Sequence, residues 1–226
     1  MSGLLVIAQS EAAVPAGDAW LAPAERRRAE GLAFAARRRD YRLGRWTAKR
    51  ALAHFLGAAQ LSEIEVRGAA KTPPTAYLRG ASAPCAISLS HRDGSALAAV
   101  APAGTRLGCD LERDEPRSDE FVSHYFAPRE RAWLESLAEP LRSRAAALAW
   151  SAKESAVKAL GTGLDRDPRD LEVEFVASVA PASRWRRLSV AFAEEARLGG
   201  FWCQRGAWLL TVVADPSLAA PRWISR

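Results

Sequence analysis

A short motif occurs twice in this chain, and it constrains the fold more than any other feature. Trp46-Thr47-Ala48-Lys49 opens one helical stretch, and Trp150-Ser151-Ala152-Lys153 opens another in the second half. The match continues to Leu56-Gly57 against Leu160-Gly161. A glycine there suits a helix C-terminus, because it enters the left-handed conformation with no Cβ to clash. A short alternating run follows each helix, at 63–66 and at 171–175. Each half then holds a hairpin-like pair: 87–90 with 97–100 around Asp93-Gly94, and 201–203 with 209–213 around Arg205-Gly206. The shared order of helix, strand, strand, strand reads as an internal duplication. The expectation is an α+β fold of two similar subdomains, each a helix packed on a small antiparallel sheet. A hinge at 102–105 divides 1–104 from 105–226. Residues 4–8 read as the first strand, 121–137 as a helical region broken by Pro128, 180–183 as a loop, and 216–226 as a poorly ordered tail.

The repeat is asymmetric in its chemistry. Glu154 aligns with Arg50 and Lys158 with His54, so only the second helix carries the acid. Ahead of that helix lies Gly108-Cys109-Asp110-Leu111-Glu112, which reads as a strand. Residues i and i+2 of a strand share a face, so Asp110 and Glu112 project together. On the helix, Ala145, Leu148, Ala149, Ala152, Ala156 and Ala159 form an apolar stripe, while Ser151, Glu154, Ser155 and Lys158 form a polar one. If helix and strand pack side by side, Glu154 joins the strand pair. Three carboxylates with lysines beside them suit a hard divalent cation holding a phosphate.

At these residues the chain resembles the 4′-phosphopantetheinyl transferases of the larger, surfactin-synthetase-activating type. That family's signature is a Gly-x-Asp-x-Glu strand and a later Trp-Ser-x-Lys-Glu-x-x-x-Lys helix, and both stand here complete and in order. Ser88-Leu89-Ser90-His91 is similar to the family's Asn-x-Ser-His turn, with Ser88 where Asn is usual. The resemblance spans residues 67–173. It implies two fused copies of a smaller unit related by a pseudo-twofold axis, with CoA in the cleft between them and one metal site. It implies transfer of the 4′-phosphopantetheine arm of CoA to a serine hydroxyl of an apo acyl or peptidyl carrier protein, releasing 3′,5′-ADP. It makes Asp110, Glu112 and Glu154 the Mg²⁺ ligands, with Glu154 as ligand, general base or both. Lys158 and Lys153 would bind phosphate, and Ser90, His91, Arg45 and Lys71 would contact CoA, with Arg42 a further candidate. Lys71 stands in a departed version of the family's Gly-Lys-Pro turn. Glu130 fits either an acidic position of the family or a helix surface. Trp150 reads as core.

Composition narrows the alternatives. At 226 residues and 49% hydrophobic content there is ample material for a core. No run approaches the roughly 20 apolar residues of a membrane span. The three cysteines, Cys85, Cys109 and Cys203, are scattered and lack metal spacing, so they read as buried free thiols in a reducing cytosol; with the resemblance, the expectation is a cytoplasmic, monomeric enzyme. The net charge of +6 is mostly arginine, concentrated at Arg26 to Arg28, Arg37 to Arg39, Arg42, Arg45, Lys49 and Arg50. Such a surface suits a polyanion such as CoA or an acidic carrier. Arg129, Arg131 and Arg166 are a second basic group. Two rival classes share parts of this pattern. A metal-dependent phosphohydrolase or nuclease would use the three carboxylates on water, and a nucleic-acid binder would use the arginines. No aromatic stacking platform or zinc knuckle supports binding of nucleic acid.

Overall fold

The computed structural model describes residues 3–58, 60–68, 72–162, 167–193, 196–215 and 218–224. The chain forms two compact units, one of residues 1–105 with 221–226 and one of residues 106–220. Both mix helix and sheet, so the fold is α+β.

In the first unit, α1 (Pro23–Glu30) precedes the long α2 (Ala35–Leu56). Helix α2 ends where Gly57 takes a φ of 67°, the left-handed cap anticipated for glycine. The helix packs on a four-stranded sheet ordered β12-β1-β6-β5, from β1 (Leu5–Ser10), β5 (Cys85–Arg92), β6 (Ser95–Pro102) and β12 (Arg222–Trp223). The β5–β6 hairpin pairs Ile87 with Val100 and Ser90 with Leu97, and Asp93 and Gly94 both hold positive φ in its turn. A small second sheet joins β2 (Ile64–Arg67), β3 (Thr75–Leu78) and β4 (Ala81–Ser82). Leu5, Ile7, Ala48, Leu52, Ile64, Val66 and Val100 form the core between α2 and the sheets.

Two expectations need correction here. Within the expected disordered tail, residues 222–223 form β12, which runs parallel to β1, and Ile224 donates its N–H to Val6 O and is buried. This sheet is therefore mixed rather than antiparallel. Residues 88–91 lie on β5 rather than in a turn, and the turn comes after them.

In the second unit, α3 (Asp119–Tyr125) and α4 (Pro128–Glu135) are separated by the helix break anticipated at Pro128. They precede α5 (Leu141–Leu160), which ends at Gly161 with a φ of 66°. The five-stranded antiparallel sheet is ordered β7-β11-β10-β9-β8, from β7 (Leu107–Arg113), β8 (Glu172–Phe175), β9 (Arg186–Ala193), β10 (Ala196–Arg205) and β11 (Trp208–Ala214). Helix α5 lies chiefly on β7 and β11. Its apolar stripe, Ala145 to Ala159, packs with Leu171, Val190, Leu198, Trp202 and Val213.

The repeated motif has the same internal role in both units. In the first, the Lys49 ammonium is 2.5 Å from Glu25 and also donates to Trp20 O. Glu25 in turn accepts the N–H groups of Ala22 and Val66. In the second, Lys153 is 2.6 Å from Glu130 and donates to Tyr125 O and Pro168 O, while Glu130 accepts from Ala127 and Val173 N–H. In each unit one buried carboxylate thus fastens a helix start and a strand to the central helix. The tryptophan that opens each motif packs beside this device: Trp46 sits on Trp20 with ring centroids 5.2 Å apart, and Trp150 on Tyr125 at 5.0 Å. Burial holds the pKa of both lysines below the ordinary lysine value, and their carboxylate partners offset only part of that fall.

All three cysteines are free, and burial pushes the Cys85 thiol up to about 11 and Cys203 up to about 12. Among the described residues no helix is long and apolar enough to cross a membrane.

Candidate active site

The second unit brings together the acids that the sequence put on one strand face and one helix face. The close approach of α5 to β7 begins at Gly108. A Cβ built there would lie 1.8 Å from Ser155 O and 2.7 Å from Ala159 N. Only a residue without a side chain admits the helix at this distance, and the helix then lies over the strand face that bears Asp110.

Asp110 and Glu112 are both buried on β7. Asp110 receives two side-chain hydrogen bonds from α5: Lys158 Nζ to Oδ1 at 2.8 Å and Ser151 Oγ to Oδ2 at 3.0 Å. Lys158 also donates to Cys109 O at 3.0 Å. Behind Ser151 lies a buried hydroxyl group of three: Thr211 Oγ1 is 2.8 Å from both Ser151 Oγ and Ser155 Oγ and donates to Ser151 O. Thr211 stands directly opposite Asp110 in the β7–β11 ladder. Glu112 is held by Arg117, whose Nη2 donates to Oε2 at 2.5 Å.

Glu154 completes the acidic group. Burial raises its pKa, and the charges of Asp110 and Glu112 raise it further against the opposing pull of Lys158. The Lys158 ammonium loses solvation by burial, but Asp110 and Glu154 more than restore it, so its pKa lies above the ordinary lysine value. The group is therefore three carboxylates and one firmly protonated lysine within electrostatic reach of one another.

Among the described residues, no group of three or more His, Cys, Asp or Glu side chains is placed to hold a metal ion, so Asp110, Glu112 and Glu154 are neighbours in charge but are not assembled as the expected set of three ligands. Mg²⁺ is usually held by one or two carboxylates, several waters and the phosphates of a substrate. Asp110 and Glu112 supply two carboxylates on one strand face, beside Glu154.

The other residues singled out in the sequence divide as follows. Lys153 is corrected: it is 1% exposed, and all its hydrogen bonds go to Glu130, Tyr125 O and Pro168 O, so it has no ammonium donor to offer a phosphate. Glu130, which the sequence fits either to an acidic position of the family or to a helix surface, is its buried partner. Arg45 is turned inward, 3.6 Å from Glu25 and over the Tyr41 ring at 4.8 Å, rather than presented to a phosphate. Arg42 is tied to Asp18 at 2.8 Å and to backbone carbonyls at 15–17. Lys49 is fully buried, so of the arginine-rich stretch it is Arg26 to Arg28 and Arg37 to Arg39 that face solvent. Ser90 and His91 lie at the end of β5 in the first unit, with His91 exposed and its ring near Gly44 of α2. Trp150 packs against Phe121 and Tyr125, as a core residue does. Lys71 and Arg166 lie outside the described residues.

Sequence reasoning missed Arg117 and Thr211. The first sits in the connection after β7, and the second meets Asp110 only through strand register. Neither carries a local signal.

Comparison with known proteins bears on what this strand and helix, with their three carboxylates and a lysine, could do. Residues 106–213, nearly all of the second unit, match the 4′-phosphopantetheinyl transferase superfamily. The chain is similar to the 4′-phosphopantetheinyl transferase HetI of Nostoc sp., with 30% identity over 148 residues, 65% of this chain and 62% of HetI. It thus spans about three-fifths of that relative's length. Two solved structures also resemble it: a holo-(acyl-carrier-protein) synthase from Bacillus anthracis in complex with CoA (3′,5′-ADP), and the Thermotoga maritima holo-[acyl-carrier-protein] synthase. The first has a TM-score of 0.38 and 23% identity, covering 45% of this chain and 96% of that one. The second has a TM-score of 0.34 and 20% identity, covering 54% and 72%.

Proposed function

We propose that this protein transfers the 4′-phosphopantetheine group of CoA to a serine hydroxyl of an apo acyl or peptidyl carrier protein, releasing 3′,5′-ADP. On this reading it is a Mg²⁺-dependent, monomeric, cytoplasmic enzyme of the larger, surfactin-synthetase-activating type, and it serves carriers of secondary metabolism. The observation that carries the reading is the grouping of Asp110, Glu112, Glu154 and Lys158 inside the stretch that matches the superfamily.

Asp110 and Glu112 would hold the cation, with Glu154 as a third oxygen donor directly or through water. A cation held there would supply positive charge to offset that of the CoA pyrophosphate. The chain's residues account for the remaining needs of the reaction. Ser151 and Lys158 hold Asp110 by both oxygens, so this carboxylate is oriented before any substrate arrives. Its orientation rests on Thr211 and Ser155 beneath. The carrier serine attacks the phosphorus bonded to the pantetheine arm, and the bond to the bridging oxygen of ADP breaks. The serine proton leaves through Glu154 or the water it orients. Lys158, protonated across the physiological range, offsets charge on the departing 3′,5′-ADP.

Asp110→Ala should lower carrier modification by about 10²-fold or more while the protein stays folded, given the size of such electrostatic terms. The assay is the mass gain of an apo carrier incubated with CoA and Mg²⁺. Wild-type turnover at saturating CoA would overturn the assignment, and phosphopantetheine released into solution without carrier modification would favour the phosphohydrolase reading.

The resemblance also assigns Ser90 and His91 to the CoA phosphates, and we retain that assignment. His91→Ala should raise the apparent KM for CoA about tenfold, as expected for loss of a charge-assisted hydrogen bond, and leave the KM for the carrier unchanged. The opposite split would place His91 elsewhere.

A further inference from the structure

Two of the three carboxylates already have resident cations supplied by the protein. Lys158 holds Asp110, and Arg117 holds Glu112. The two pairs differ in kind. Lys158 comes from the rigid body of α5 and is anchored by Cys109 O as well as Asp110. Arg117 comes from the irregular connection between β7 and α3. Its side chain is 13% exposed, and Glu112's is 9%. Its buried Nε has no hydrogen-bond partner among the described residues, and its guanidinium lies 5.7 Å from the Phe121 ring centroid. It also borders a polar cavity of about 200 Å³ lined by Asp119, Glu139, Arg142 and Ser143. The neighbouring acid of the same connection, Asp114, has its own cation, Arg144 at 2.5 Å. Arg117 is therefore not needed to neutralise Asp114, and the hydrogen bond that binds it goes to Glu112.

We propose that Arg117 is an intramolecular counter-ion that competes with the divalent cation for Glu112 and so weakens cation binding in the absence of substrate. This rests on the proposed function above, which gives Glu112 to the cation. The guanidinium occupies Oε2 and places a full positive charge beside any dication on the same carboxylate, where the two repel in partly buried surroundings. Held on a connection rather than a helix, it has the 200 Å³ cavity and the Phe121 face beside it as places to withdraw to. The consequence is that cation and CoA phosphates bind together more readily than the cation alone, because the phosphates supply the negative charge that outweighs Arg117. Arg117 is a positioning residue in this scheme and touches no reacting atom.

The test measures Mn²⁺ affinity by electron paramagnetic resonance on the full chain without CoA, alongside the cation-induced shift in melting temperature. Arg117→Gln should bind Mn²⁺ about tenfold more tightly than wild type, within the usual range of coupling between contacting charges. Its melting temperature should fall without the ion and recover with it, because the metal-free protein has lost the counter-ion of a buried carboxylate. Arg117→Lys, which keeps the charge, should bind Mn²⁺ like wild type. Unchanged or weaker binding in Arg117→Gln overturns the inference. Asp110→Asn separates the two levels: if it loses Mn²⁺ while Arg117→Gln gains nothing, the Arg117 inference falls alone. If Asp110→Asn binds Mn²⁺ like wild type, the cation is elsewhere and the functional reading falls with it.

Discussion

Lys153→Ala should destabilise the protein by about 3–5 kcal/mol, the cost of leaving a buried carboxylate without its cation. Glu130 stays behind at 5% exposure, still holding the N–H groups of Ala127 and Val173 but no longer neutralised. Urea unfolding at neutral pH measures this directly as a fall in midpoint with the slope unchanged. Lys153→Met combined with Glu130→Gln should recover only part of the loss: the charge is then removed from both partners, but the single amide oxygen can accept only one of the Ala127 and Val173 N–H groups and the amide NH2 faces the other. The experiment also discriminates between two accounts of the same lysine. If Lys153 bound a CoA phosphate, its loss would raise the KM for CoA and leave the unfolding midpoint in place. The buried pair predicts the reverse: a large fall in midpoint, with activity lost only as the folded fraction falls. Lys49→Ala should repeat the result in the first unit, where Lys49 holds Glu25 in the same way.

The distinction between Lys153 and Lys158 shows where the sequence was legible and where it was not. The two lysines are five residues apart, so at 100° per residue they point about 140° away from each other around α5. Lys158 shares the polar face with Ser151 and Ser155, which was read correctly. Lys153 follows Ala149 by one helical turn and precedes Ala156 by three residues, at the margin of the apolar stripe. Its recurrence as Lys49 in the other half was a second sign of a structural role. Burial of a lysine depends on a partner from elsewhere, and nothing local to Lys153 announces Glu130. The elements with local signals were recovered: Gly57 and Gly161 as left-handed caps, Asp93-Gly94 as a hairpin turn, and the break at Pro128. Strand β9, with Leu188, Val190 and Phe192 in alternation, went unread between arginines and alanines. Strand β12 has only two residues and exists through its pairing with β1, at the other end of the chain. The position of Thr211 beneath Asp110 and of Arg117 on Glu112 likewise depends on register and on the path of a connection, which no short window of sequence specifies.

Gly108→Ala should be still more damaging, although it adds a single methyl group. The new Cβ would stand 1.8 Å from Ser155 O and 2.7 Å from Ala159 N. Both obstacles are backbone atoms of α5, so no rotamer change relieves the overlap and the helix must lift from β7 by more than an ångström. Overpacking of an adaptable core usually costs about 1–3 kcal/mol. Here the cost should exceed about 4 kcal/mol, in the range reserved for changes that force the backbone apart. Gly17→Ala is the control. Among the described residues Gly17 has nothing within 4 Å of its would-be Cβ, and it has no positive φ, so that variant should melt with the wild type. The site would suffer with the fold, because Gly108 and Asp110 share a strand face and the same helix turns carry Ser151, Glu154 and Lys158. Lifting α5 lengthens the Lys158 and Ser151 hydrogen bonds to Asp110 and draws Glu154 away from the strand pair. Thermal unfolding and soluble yield of the two variants side by side provide the test. A Gly108→Ala protein that melts within a few degrees of wild type would mean that β7 and α5 are not packed as closely as their backbones indicate, and the arrangement of the carboxylates would have to be redrawn with them.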